Sequence, residues 1–106
     1  MSQPTHHNRK AFSATEIVTQ LSKLNGEHAA GWRLIDSALE KTFTFKNYFE
    51  TIGFVNALAF IANAQNHHPD LAVSYSKCTV RFSTHDVNGI SASDFFCASK
   101  VDALLV

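Results

Sequence analysis

Residues 66–86 read NHHPDLAVSYSKCTVRFSTHD, and their period decides the fold. Apolar side chains recur every second residue at Leu71, Val73 and Tyr75, and again at Cys78, Val80 and Phe82. The positions between them are Ala72, Ser74 and Ser76, then Thr79, Arg81, Ser83 and His85. A period of two is that of a strand with one buried face. The stretch therefore predicts two antiparallel strands with a tight turn near Ser76–Lys77. At its head, Pro69 pushes His68 out of the α region and ends whatever helix precedes it.

Working towards the N-terminus, the segment from Tyr48 to about Gln65 contains no proline. Phe49, Ile52, Val55, Ala59, Phe60 and Ala62 give it a broad apolar face. Gly53, Ala57, Ala59 and Ala62 would let it lie close to a sheet, and Asn47 is its candidate N-cap. Before it the period is again two. Trp32 and Leu34 alternate with Arg33 and Ile35. After a turn near Asp36–Ser37, Leu39, Lys41, Phe43 and Phe45 alternate with Glu40, Thr42, Thr44 and Lys46. That is a half-buried hairpin in which Lys41 fits poorly unless it lies at a rim. Earlier still, Ser13-Ala14-Thr15-Glu16 forms a capping box, followed by Ile17, Leu21 and Leu24 at helical spacing and by Gly26 as the stop.

Beyond residue 86, Asn88–Gly89 marks a turn. Ser91-Ala92-Ser93-Asp94 resembles a second capping box with Asp in place of Glu, and Ile90 with Phe95 would make a hydrophobic staple. Phe95, Ala98, Val101 and Leu105 continue a third helix, whose stripe Asp102 interrupts. The order is α-β-β-α-β-β-α. Its simplest packing is an α+β fold, a four-stranded antiparallel sheet with three helices packed on one face. Residues 1–11 read as a flexible N-terminal arm and residues 12–106 as one domain. His6 and His7, in the arm, read as a solvated pair. The sheet edges need cover, so self-association is expected.

The 106 residues suit one domain, and an apolar fraction of 45% with nine Phe supplies a core rich in rings. A formal net charge of +0 argues against binding nucleic acid through bulk phosphate attraction. Cys78 and Cys97 form no CxxC pair and read as small buried hydrophobes. No signal-peptide pattern and no apolar run of the ~18 residues needed to span a bilayer is present, so a cytoplasmic protein without a membrane role is expected.

The residues able to do chemistry gather in the opening stretch. Imidazole gives and takes protons near neutral pH at modest cost. His67 and His68 sit where a helix breaks, and His85 sits at a strand end, so elements that finish together could bring all three around one cleft. Neighbours in extended chain point opposite ways, which predicts different roles for His67 and His68. Adjacent histidines rarely chelate one ion side by side and HExxH is absent, so no metal is expected. Asp94 has a structural reading as a carboxylate at a helix N-terminus.

These residues resemble a known family. Asn66-His67-His68-Pro69, Tyr75-Ser76-Lys77, Ser83-Thr84-His85-Asp86, Gly89 and Asp94 are similar to the signature of the pterin-4a-carbinolamine dehydratases, also known as dimerisation cofactors of a hepatocyte nuclear factor. The resemblance extends to Gly31-Trp32, Phe43-Thr44-Phe45-Lys46 and Gly53-Phe54, and covers roughly residues 12 to 104. It implies a hydro-lyase that removes water from 4a-hydroxytetrahydrobiopterin to give quinonoid dihydrobiopterin, recycling the cofactor of aromatic amino-acid hydroxylases. It implies no metal or organic cofactor, a homodimer or homotetramer, and a hydroxylase as a further partner. By the same resemblance His67 and His85 donate protons to the leaving hydroxyl and His68 binds and orients the ring. Ser83 and Thr84, with His85, offer backbone hydrogen bonds to the pterin edge, and Asp94 lies near the site in support of the imidazoles.

Two positions depart from well-known animal members. Asn63 stands where they carry an acidic residue, which reduces electrostatic support for an imidazolium. Leu71 stands where they often carry Trp. The alternative class is a non-catalytic dimerisation or coactivator module on the same scaffold, which would not require three histidines. A further alternative is a dehydratase-like protein of molybdopterin metabolism.

Overall fold

The computed structural model describes residues 10–26 and 31–105. The arm up to Arg9, with His6 and His7, lies outside the described residues. The elements are α1 (Ala14–Asn25), β1 (Arg33–Ile35), β2 (Ala38–Thr44), α2 (Tyr48–Gln65), β3 (Asp70–Val73), β4 (Lys77–Phe82), a 3-10 turn (His85–Val87) and α3 (Ala92–Ala103). All strand pairs are antiparallel, in the order β1-β2-β4-β3. The expected α+β architecture holds. No helix is long and apolar enough to cross a membrane among the described residues.

Alternation builds the core. Cys78, Val80 and Phe82 of β4 and Leu39 and Phe43 of β2 are buried on one face. Phe54, Leu58 and Ala62 of α2 and Phe95, Cys97, Ala98 and Val101 of α3 pack against them, with Trp32 and Ile90. Each large side chain so buried contributes about 1.5–3 kcal/mol. Both cysteines are inside, and burial pushes the Cys78 thiol above its ordinary range. The opposite face is polar: Arg81 Nη1 meets Glu40 Oε1 at 2.7 Å, and the Thr42 and Thr79 hydroxyls bond at 2.8 Å.

The two misfits of the sequence pattern meet each other. Lys41 lies on the core face of β2, and its Nζ reaches Asp102 Oδ1 at 2.8 Å. Asp102 also accepts from Trp32 Nε1, at 3.1 Å to each oxygen. Both charges stay at the rim, where such a pair is worth at most about 1 kcal/mol.

Caps set the helix limits. Ser13 and Glu16 form the expected box, and Asn47 caps α2 by accepting from the Glu50 amide at 2.9 Å. After α1 the Asn25 side chain accepts from the Trp32 amide and donates to its carbonyl, at 2.7 and 2.9 Å. Gly31 makes room for this, since a Cβ there would stand 2.2 Å from Asn25 Oδ1. Asp36 and Ser37 both take positive φ, as a two-residue hairpin turn of the primed type requires.

Three expectations need correction. Pro69 does not stop α2. Asn66 does, in the left-handed conformation at φ 50°, which Asn tolerates, while the His67 amide reaches back to the Ala62 carbonyl at 3.1 Å. The apolar face of α2 is also narrower than its composition implied. Thr51, Phe54, Leu58, Ala62 and Gln65 face inward, whereas Phe49 and Phe60 are 89% and 80% exposed. A helix lying on a sheet buries one stripe, and these rings lie off it. Finally, β3 is an exposed edge strand along its whole length, and the turn after it falls one residue early, with the Ser74 amide bonded to the Lys77 carbonyl.

Candidate active site

The left-handed turn at Asn66 reverses the chain at the end of α2. His67 turns inward and is 5% exposed, while His68, held extended ahead of Pro69, remains exposed. The adjacent imidazoles thus have different surroundings.

The second segment leaves β4 at Phe82. Thr84 pairs with Gly89 as an isolated bridge, with the Thr84 amide donating to the Gly89 carbonyl at 2.8 Å. The bridge closes a loop that carries the 3-10 turn from His85 to Val87, ended by Asn88 in the left-handed conformation. His85 is therefore displayed at the start of a short tied-off turn just past the strand.

Both segments converge on one hollow of about 340 Å³. His67, His68, Pro69 and Asp70 line it from the α2–β3 side, and Ser83, His85 and Asp86 from the β4 side. A hollow of this size lies in the range that takes small organic ligands.

Behind the hollow lies a closed polar network. Asp94 is fully buried in the first turn of α3. Its Oδ2 accepts from the Ser91 amide at 2.9 Å, completing the expected capping box. Its Oδ1 takes His67 Nε2 at 2.6 Å. One oxygen thus caps the helix and the other bonds an imidazole. Oδ2 also accepts from Thr84 Oγ1 at 2.7 Å. The His67 ring lies parallel to that of Phe82, with 6.0 Å between centroids and 8° between planes.

This geometry fixes what His67 can do. A carboxylate only accepts, so Nε2 carries the proton and donates it to Asp94. Nδ1 is left as the ring nitrogen for proton exchange. A buried carboxylate behind an imidazole holds the ring in one tautomer and orientation and stabilises its cation.

Of the expected site residues, His67, His68, His85 and Ser83 are brought together around the hollow. Thr84 and Asp94 are not among its lining. Their side chains are fully buried and reach the site only through His67. Direct contact of either side chain with a substrate would need solvent-closed groups to open, whereas the backbone contact expected at Thr84 does not depend on its side chain. Sequence reading missed Asp70 and Asp86 as lining residues, and it saw Ser91 only as a cap. Asp70 could have been suspected, since it directly follows the His-His-Pro turn. Asn63 and Leu71, the two departures, do not line the hollow.

Residues 10–104 match the family described as Pterin 4 alpha carbinolamine dehydratase. The chain belongs to that family. A relative from Paracidovorax citrulli, provisionally named as a pterin-4-alpha-carbinolamine dehydratase, is 57% identical over 103 residues, covering 93% of this chain and 84% of the relative. The crystal structure of a transcriptional coactivator/pterin dehydratase from Brucella melitensis matches with a TM-score of 0.82 and 28% identity, over 90% of this chain and 98% of that one. A pterin dehydratase-like protein described as a RuBisCO assembly factor in the alpha-carboxysome shares the fold, at a TM-score of 0.60 and 23% identity, over 74% of this chain and 90% of that one.

Proposed function

We propose that this chain dehydrates 4a-hydroxytetrahydrobiopterin to quinonoid dihydrobiopterin, in the service of aromatic amino-acid hydroxylation. The observation that carries the reading is the single hollow lined by imidazoles from two separate segments, in a chain of the dehydratase family. In this reaction the C4a–O bond breaks, the hydroxyl leaves as water after gaining a proton, and N5 gives up its proton. One donor and one acceptor on different sides of the ring are therefore needed, and each positioned group contributes about 100- to 10,000-fold.

His67, backed by Asp94, and His85, on the opposite segment, are the proton-transfer groups for the leaving hydroxyl and N5. His68, exposed at the mouth, chiefly binds and orients the ring. Ser83, on the wall beside His85, offers hydrogen bonds to the pterin edge. The test is dehydration by purified protein, coupled to a pterin-dependent hydroxylase and measured against the spontaneous rate. His67→Ala, His68→Ala and His85→Ala are assayed singly. Full activity in His85→Ala would remove that residue from the mechanism, and a wild-type rate equal to the spontaneous one would end the proposal.

A second reading, a protein-binding module, draws on the exposed Phe49 and Phe60 of α2. Such binding would leave the three imidazoles without a purpose, so it stands beside dehydration rather than replacing it.

A further inference from the structure

We infer that Thr84 is a positioning residue, whose hydroxyl locks the Asp94 carboxylate so that His67 works through Nδ1 alone. The inference rests on the dehydratase reading for its catalytic consequence, but the lock itself rests on hydrogen bonds.

With Asp94 as a carboxylate, the direction of each proton in the network follows. Asp94 can only accept, so the single hydroxyl proton of Thr84 goes to Asp94 Oδ2. Thr84 Oγ1 lies 2.7 Å from Ser91 Oγ, and having spent its own proton it must accept there, so Ser91 donates. Ser91 Oγ in turn accepts from the Ser93 amide at 3.3 Å. The donors thus run one way, from Ser93 through Ser91 and Thr84 to Asp94. Thr84, Ser91, Ser93 and Asp94 are all 0% exposed, so the network is closed to bulk solvent.

Helix capping does not need Thr84. The Ser91 amide on Asp94 Oδ2 completes that box from within α3. The Thr84 hydroxyl arrives from another segment, immediately before His85 and on the bridge that ties off the His85 loop. It holds Oδ2 from the side and leaves Oδ1 to His67. One residue thereby couples the orientation of the inner imidazole to the loop that carries the outer one.

The test compares Thr84→Val, which replaces the hydroxyl with a methyl of similar size, with Thr84→Ser, which keeps it. Hydrogen bonds to charged groups are the stronger class, so Thr84→Val should lower kcat about 10- to 50-fold with KM within about threefold. Thr84→Ser should return kcat to within about threefold of wild type. A readout independent of turnover is the His67 Nε2 proton in NMR. It should be a protected downfield signal in wild type and Thr84→Ser, and shifted or lost to exchange in Thr84→Val. If the wild type shows this signal pattern but does not dehydrate pterin, the lock stands and the dehydratase reading falls. A Thr84→Val variant that raises KM and keeps kcat would overturn the inference by making Thr84 a substrate contact. So would a folded Thr84→Val with wild-type kcat and an unmoved signal. Should Thr84→Val fail to fold, the wild-type Thr84 hydroxyl proton decides: slow exchange supports the lock, and rapid exchange with solvent overturns it.

Discussion

His67 and Phe60 lie seven residues apart on the segment that runs through α2, and their burial is the reverse of their chemistry. The imidazole is 5% exposed and the phenyl ring 80% exposed. The inner end of the segment encloses polar groups and satisfies each of them. Among the described residues no buried side-chain nitrogen or oxygen lacks a hydrogen-bond partner. The outer face leaves two large rings in water. Hydrophobic pattern alone accounts for neither region. Polar burial with complete pairing is what a rigid chemical site requires, and unpaired apolar exposure is what a surface for another chain requires.

The comparison breaks most visibly at Asp94. Asp94→Ala removes one partner from His67, Thr84 and the Ser91 amide together, leaving the His67 Nε2 and the Ser91 amide buried without that acceptor and Thr84 with only the Ser91 hydroxyl. Each buried polar group left unsatisfied costs about 1–3 kcal/mol, so the midpoint of urea unfolding should fall steeply. Dehydration should fall as well, because His67 loses its orientation. A variant of nearly wild-type stability would show that the network is not the closed unit described.

His67→Ala and His85→Ala separate the two walls of the hollow. His67→Ala should reduce dehydration about 100- to 10,000-fold and also destabilise, since Asp94 then stays buried with one oxygen unpaired. His85→Ala should reduce dehydration at the lower end of that range but leave unfolding within about 0.5 kcal/mol, because its ring is exposed. Equal stability losses in the two would erase the distinction between wall and rim.

Much of this organisation can be read from residue order. The strands follow from period two at Cys78, Val80 and Phe82, and both capping boxes from Ser13–Glu16 and Ser91–Asp94. The steric effect of Pro69 predicts the stop after α2 there, but Asn66 reaches the left-handed conformation first. The inward stripe of α2 was misjudged because Thr51 and Gln65 look exposed by type. Thr51 is buried because its hydroxyl reaches the Asn47 and Tyr75 carbonyls, both at 2.9 Å, and the second of these contacts exists only once the sheet has formed. The role of Thr84 was hidden for the same reason. Its acceptor lies ten residues on in α3, and only packing shows that the hydroxyl faces away from the hollow.

The smallest effect on the chain itself belongs to the outer face. Phe49 and Phe60 are eleven residues apart, three helical turns, so both rings lie along one side of α2. Neither is in the core, and Phe49→Ser or Phe60→Ser should change the unfolding free energy of the isolated chain by no more than about 0.5 kcal/mol. Their effect on self-association should be far larger. Covering a Phe is worth about 1.5–3 kcal/mol, so losing both at an interface between copies raises the dissociation constant by at least about 100-fold. Sedimentation velocity across a dilution series of wild type and the double variant reads this directly. A dissociating double variant with intact secondary structure would place an assembly surface on the outer side of α2. An assembly unchanged by the double variant would move that surface to the exposed edge at β3, where Leu71 and Val73 offer the next open apolar positions.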